Sequence, residues 1–142
     1  MAASFASPAV PPAPRLGPAD RLVLAVHDVT HPLVRSNPYG ISERLRGSAV
    51  GAADLLSRGE KGDRAARLEQ LAEARSRLAE LAYYVDLGER LGVLDPAEAL
   101  ELFELGLAAS VDLAARLDAL IYRRTPAPFP LAPAAGSEAA SC

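Results

Sequence analysis

Two histidines and a set of arginines are the side chains of this sequence whose types and spacing could do chemistry. His27 and His31 are four residues apart, so on a helix they would share one face, as the histidines of some zinc sites do. Asp28 follows His27 where the zinc-protease pattern has a glutamate, and the chain has no third histidine to complete a ligand set. We interpret the pair as surface or interface histidines and expect no metal and no other cofactor.

The other common catalytic arrangements are missing from the sequence. The single cysteine, Cys142, is the last residue, and the chain has neither a glycine-flanked serine elbow nor a phosphate-binding glycine loop. We therefore predict that the chain is not an enzyme and has no small-molecule substrate. One cysteine cannot form an intrachain disulfide, which fits a reducing, cytoplasmic setting, and the lack of a long apolar run predicts no membrane partner.

The basic residues are almost all arginine and are unevenly placed. Lys61 is the one lysine among the 15 basic residues, and basic residues outnumber acidic ones between Arg35 and Arg77, whereas residues 78–122 are strongly acidic. Guanidinium groups fit phosphate and carboxylate groups well, although a GC-rich coding sequence would also explain the arginine excess. The candidates for binding nucleic acid or a partner are Arg44, Arg46, Arg58, Lys61, Arg64, Arg67, Arg75 and Arg77.

Arg75 stands out because the helical pattern places it on an apolar seam between Leu71 and Leu78. A side chain there either extends its charged head out of the core or pairs with a carboxylate such as Glu43 or Glu80. The alternative is that Arg75 belongs to a basic track for a phosphate backbone. Both interpretations remain open at this point.

These residues must be positioned by helices, because the apolar spacing between two proline-rich tails is helical throughout. Residues 1–18 and 125–142 are expected to be disordered tails, and 19–124 to form one all-α domain, an antiparallel up-down-up-down four-helix bundle. The predicted helix starts are Asp20, Asn37-Pro38, Asp63 and Asp95-Pro96, and the predicted ends are Pro32, Gly59 and Gly92.

Each helix has an expected inward-facing stripe. A bundle of this size hides a modest share of its surface, so we also expect self-association. The stripes are Leu22, Val26, Val29 and Leu33 in helix one; Ile41, Leu45, Ala49, Ala52 and Leu56 in helix two; Leu68, Leu71, Arg75, Leu78, Ala82 and Val85 in helix three; and Leu100, Phe103, Leu107, Val111, Ala114, Leu117 and Ile121 in helix four.

Four segments, taken in order, resemble one known family. They are residues 44–50 (RLRGSAV), Gly59 at a helix end, residues 74–81 (ARSRLAEL) and residues 90–94 (RLGVL), with Tyr39-Gly40 ahead of them. The chain thereby resembles the four-helix-bundle family that includes the protein encoded in intervening sequences of ribosomal RNA genes and the Avd-like accessory protein of diversity-generating retroelements.

The resemblance implies a ring-like homopentamer with basic residues that contact nucleic acid and, in the retroelement branch, a reverse transcriptase and its template RNA. Position by position, it assigns the family's helix-two arginine to Arg46, its seam arginine to Arg75, its helix-three glutamate to Glu80 and its turn glycine to Gly92. The leading hypothesis is therefore a non-catalytic oligomeric accessory protein that binds RNA or a reverse transcriptase. The alternative is a protein–protein interaction scaffold without nucleic-acid binding.

Overall fold

The computed structural model describes residues 15–31 and 37–122, and within them the chain is helical and contains no strand. Helix α1 spans Pro18–Thr30, a short 3-10 turn spans Pro38–Gly40, α2 spans Ile41–Arg58, α3 spans Arg64–Arg90 and α4 spans Pro96–Ile121. The prediction of an all-α protein with four helices is confirmed. Most of the two predicted tails lies outside the described residues, and so do the predicted helix end at Pro32 and the residues Leu33, Arg35 and Cys142.

The helices pack around one core in the ring order α1, α2, α3, α4 and back to α1. Two contacts, one near the start of α3 and one in its middle, show how α3 and α4 run relative to each other. Near the start of α3, Arg64 Nη2 donates to the carbonyl of Ile121 at the end of α4 at 3.3 Å. Farther along, Leu81 Cδ2 lies 3.7 Å from where a Cβ on Gly106 would be. These two helices are therefore antiparallel neighbours.

Local sequence signals set the ends of α3 and the start of α4 as predicted. The Asp63 carboxylate accepts the Ala66 N–H, and the Asp95 carboxylate accepts the Glu98 N–H, each at 2.8 Å. At the end of α3, Gly92 has a φ of +73°, a conformation that suits glycine. The Val93 N–H then turns back to the Gly88 carbonyl at 2.8 Å.

The starts of α1 and α2 differ from the prediction. Helix α1 begins at Pro18, because the Asp20 side chain sits one turn into the helix and accepts the Gly17 N–H at 3.2 Å. Helix α2 does not begin at Asn37-Pro38, because Tyr39 and Gly40 adopt φ values of 58° and 64°, which an α-helix cannot include.

Asn37 nevertheless organises the start of α2 with its side chain. Its Oδ1 accepts the Ser42 N–H at 3.0 Å, and its Nδ2 donates to Glu43 Oε2 at 2.7 Å. The hydrogen bond from Asn37 lowers the pKa of Glu43 below its ordinary value, and the nearby Arg46 guanidinium adds to this effect. The Asn-Pro signal thus marks the approach to the helix rather than its first residue.

The predicted seam of α3 is wrong at Arg75, whereas the predicted stripe of α2 is confirmed in full. Leu71, Leu78 and Val85 are buried as expected. After Leu71 and Leu78 the core takes the residue three positions on, Ala74 and Leu81, whereas the prediction took the residue four positions on, Arg75 and Ala82. The helix is therefore rotated about its axis relative to the prediction. This rotation places Arg75, four residues after Leu71, outside the core and leaves its guanidinium group in water. The buried residues of α3 are Leu71, Ala74, Leu78, Leu81, Val85 and Gly88, while Leu68 and Ala82 lie at the edge of the core.

The predicted inward stripe of α4 is also wrong. The buried residues of this helix are Ala99, Leu102, Ala109, Leu113 and Leu120. Leu117 is partly buried, and the other members of the predicted stripe face away from the core. Both the predicted stripe and the buried stripe of α4 are apolar. The buried stripe contains two alanines, Ala99 and Ala109, which let the neighbouring helices approach closely. Tertiary packing, rather than the regularity of the heptad, selects which stripe points inward.

Candidate docking surface

The most unusual surface of the molecule is a row of apolar side chains on the outside of α4. We call it the α4 stripe. Its five large side chains each expose between 50% and 63% of their surface. From Leu100 to Ile121 the stripe runs about 32 Å along the helix, at about 1.5 Å per residue. The α4 stripe consists of Leu100, Phe103, Leu107, Val111, Ala114 and Ile121.

A groove of about 440 Å³ runs beside the α4 stripe, between α3 and α4. Its α3 wall is formed in part by Ala79 and Ala82, and Gly106 of α4 contributes no side chain. Phe103 and Leu107 border the same groove. A ridge of large side chains next to a trough lined by small ones is the shape that another helix packs against.

Two charged side chains at this groove have no ion-pair partner among the described residues. Arg75 is exposed on the α3 wall, and Asp118 lies on the α4 wall. The carboxylates expected for Arg75 are otherwise engaged, since Glu80 pairs with Arg77 at 3.4 Å and Glu43 binds Asn37. Within the described residues, the groove therefore presents one positive and one negative charge without an ion-pair partner on an apolar surface.

Three of the eight predicted basic residues bind backbone carbonyls or a hydroxyl at helix ends. Arg46 donates to Thr30 at the end of α1, Arg67 Nε donates to the Gly59 carbonyl at 2.9 Å, and Arg64 donates to Ile121. Because the last carbonyls of a helix lack partners within it, these arginines complete the hydrogen bonding of the fold.

Three more of the candidates have partners on the surface. Arg44 donates to Tyr84 Oη at 3.0 Å and stacks over its ring, with 5.5 Å between the guanidinium carbon and the ring centroid. Arg58 pairs with Asp54 at 2.8 Å, and Arg77 pairs with Glu80. Lys61 joins Arg75 in having no side-chain partner among the described residues. Six of the eight side chains thus already have partners within the described residues.

Arg116 is a connecting residue that is not among the eight predicted basic residues. It donates to the Leu56 carbonyl at 3.1 Å and pairs with Glu60 at 3.2 Å and Asp112 at 3.0 Å. These contacts join α4 to the end of α2. A lone arginine in an acidic helix was a usable signal, since such a residue is surrounded by potential partners.

The histidine pair lies on the surface of α1 and at its end. Both side chains are exposed, and their rings meet edge to face with centroids 5.2 Å apart. Across residues 15–31 and 37–122, no group of three histidine, cysteine or acidic side chains is placed to hold a metal ion. In the same part of the chain, no helix has the length and apolar character needed to cross a membrane.

Comparisons with known proteins do not assign the chain to a family. No protein-family model matches the chain, and no curated protein and no solved structure is significantly similar to it. The kinship with the four-helix-bundle family therefore stays a prediction. The α4 stripe and the groove beside it are the surface features that point to a function.

Proposed function

We propose that this chain is a non-catalytic cytoplasmic protein that acts by docking, and that copies of it associate through the α4 stripe. The single observation that carries the proposal is the row of five large apolar side chains, each at least half exposed, on one face of one helix. The proposal corresponds to the interaction scaffold that the sequence left as an alternative.

Exposure of the α4 stripe to water is energetically unfavourable. Burying apolar surface contributes about 25 cal/mol per Å², and contiguous exposed apolar patches larger than roughly a few hundred Å² typically mark interaction sites. Five half-exposed large side chains in one row form a patch of this class, before the groove is counted. A helix that is apolar on two faces is typically covered on both.

Binding to RNA or to a reverse transcriptase is the other candidate, and its support is narrower. Lys61 and Arg75 are the members of the predicted basic set that have no side-chain partner among the described residues. The remaining six would have to give up intramolecular contacts to meet phosphate groups. If RNA binding occurs, its affinity must fall steeply with salt, because neutralising phosphates releases counterions. A gel-shift series from 50 to about 200 mM salt measures this directly.

The proposed function is tested by the mass of the purified full chain in solution. Light scattering over a wide range of protein concentration should give a multiple of the 14.9 kDa chain mass. The same measurement counts the copies, for which the family resemblance implies five. A mass of one chain at every concentration contradicts association.

A further inference from the structure

A second apolar groove lies between α1 and α2, on the opposite side of the helix ring from the groove between α3 and α4. It has a volume of about 440 Å³, and its three large half-exposed side chains each expose 50% to 53% of their surface. We call it the α1–α2 groove. Its lining includes Leu16, Asp20, Val23, Leu24, Val50 and Asp54.

The described part of the chain begins at this groove. Leu16 precedes α1, yet its side chain lines the groove together with Leu24, which lies near the middle of that helix. An apolar residue just before a helix that packs against the helix fixes the angle at which the chain enters. Gly17 is held in place next to it, since its N–H donates to Asp20 at 3.2 Å and its carbonyl accepts the Arg21 N–H at 3.1 Å. The residues before Leu16 therefore start from one end of the groove.

The α1–α2 groove suits an uncharged apolar occupant. Its two carboxylates already have contacts, because Asp20 accepts the Gly17 N–H and Asp54 pairs with Arg58 at 2.8 Å. The rest of its lining is apolar. Residues 8–14 (PAVPPAP) carry no charge and have only short apolar side chains. A proline-rich sequence of this kind favours the polyproline II conformation, which loses little entropy when it docks.

We infer that residues 8–14 of the same chain cover the α1–α2 groove. These residues lie outside the described part of the chain, and Arg15 alone separates them from Leu16. At about 3.1 Å per residue they extend about 22 Å, whereas the 13-residue helix α1 is about 20 Å long. The segment can therefore cover the groove from end to end. Covering it removes from water a second apolar face through which copies could associate.

Ala13 is the residue of the segment that we expect beside Val50. Thr30, six residues past Leu24, binds Arg46, four residues before Val50, so Leu24 and Val50 lie at similar levels of the two helices. Leu24 lies about 9 Å along α1 from its first residue. Three residues of polyproline II span about the same distance, and Ala13 is three residues before Leu16.

Cysteine cross-linking in the full chain tests this position. In a Cys142→Ser background, Ala13→Cys with Val50→Cys should form a disulfide within one chain under mild oxidation. Ala13→Cys with Arg21→Cys is the matched control, because Arg21 is exposed on α1 and does not line the groove. Arg21 is much closer to Ala13 in sequence, so a freely moving segment would react with it at least as readily. Equal or stronger cross-linking at Arg21 would overturn the inference.

The mass of the cross-linked species identifies the occupant of the groove. Electrophoresis without reductant should show the disulfide in single chains. A two-chain species would mean that the segment of a second copy fills the groove, which overturns the assignment to the same chain. Neither result depends on association through the α4 stripe, so the proposed function is tested separately.

Thiol labelling tests the same inference without a cross-link. In the Cys142→Ser background, the reaction rate of Leu24→Cys with a soluble thiol reagent reports how well the groove is covered. Adding Ala13→Asp should raise this rate, because a carboxylate is costly to bury against an apolar surface. Adding Ala3→Asp, the same change outside residues 8–14, should leave the rate unchanged. Equal rates in the two aspartate variants would contradict cover by this segment.

Discussion

Arg46 fastens the end of α1 to α2 through two hydrogen bonds to Thr30. Its Nε donates to Thr30 Oγ1 and its Nη2 donates to the Thr30 carbonyl, each at 2.7 Å. Thr30 is buried, and its hydroxyl donates in turn to the Val26 carbonyl at 2.6 Å. The guanidinium group therefore completes the hydrogen bonding of a buried helix end.

Arg46→Lys should lower the free energy of unfolding by about 2 kcal/mol, because an ammonium group cannot make this paired contact in the same geometry. Arg58→Lys is the control, since Arg58 forms an exposed ion pair with Asp54, and its effect should stay within about 0.5 kcal/mol. Urea unfolding at one fixed protein concentration measures both, because association adds to stability. Equal effects would contradict the structural role of Arg46.

Gly59 and Gly47 should respond in opposite directions to substitution by alanine. A Cβ on Gly59 would lie 2.7 Å from Leu71 Cδ2, whereas a Cβ on Gly47 meets nothing within 4 Å. Gly59→Ala should therefore destabilise the fold by about 1 to 3 kcal/mol through overpacking. Gly47→Ala, inside α2, should stabilise it by about 0.5 to 1 kcal/mol. Thermal unfolding of the two variants checks this, and a stabilising Gly59→Ala would show that the α2–α3 contact is looser than described.

Asn37→Ala should raise the pKa of Glu43 toward its ordinary value, because the hydrogen bond from Asn37 is the main cause of its lowering. A carboxyl group with a lowered folded pKa stabilises the fold above its unfolded pKa, and this contribution is lost as the pH falls through the folded value. In the Asn37→Ala variant, the free energy of unfolding should therefore lose the part of its pH dependence that comes from Glu43. Carbon NMR of the Glu43 carboxyl group during an acid titration measures the change, and an unmoved titration would remove Asn37 as the cause.

The sequence predicted the parts of the fold that depend on neighbouring residues. Asp63, Asp95 and Gly92 act within one turn of themselves, so their roles follow from residue type and spacing alone. The buried stripe of α2 was also predictable, because the large apolar residues of this helix recur at helical spacing mainly on one face.

Which face of α3 and which face of α4 point into the core could not be predicted in the same way. Leu78 has an apolar residue three positions on, Leu81, and a small one four positions on, Ala82, so either could complete the seam. Helix α4 has two apolar stripes, and only the packing of the other helices decides which one is inside. The α4 stripe was therefore not predicted as a docking surface, because the sequence analysis assigned these residues to the core.

The basic residues were predicted by type, but their roles depend on partners far away in the sequence. Arg46 and Thr30 are sixteen residues apart, and Arg64 and Ile121 are fifty-seven apart. No local pattern distinguishes an arginine that caps a helix end from one that is free to bind a partner. That Arg75 and Lys61 have no side-chain partner among the described residues became known only from the contacts in the structure.

The most direct test of docking through the α4 stripe is the solution mass of two matched valine variants. Val111→Glu places a charge within the stripe, and Val50→Glu places the same charge on α2, where the valine is exposed to a similar degree, 53% against 63%. Light scattering should show that Val111→Glu reduces the assembly to single chains while Val50→Glu keeps the mass of the unsubstituted protein. If Val111→Glu leaves the mass unchanged, or Val50→Glu is the variant that falls apart, the α4 stripe is not the docking surface.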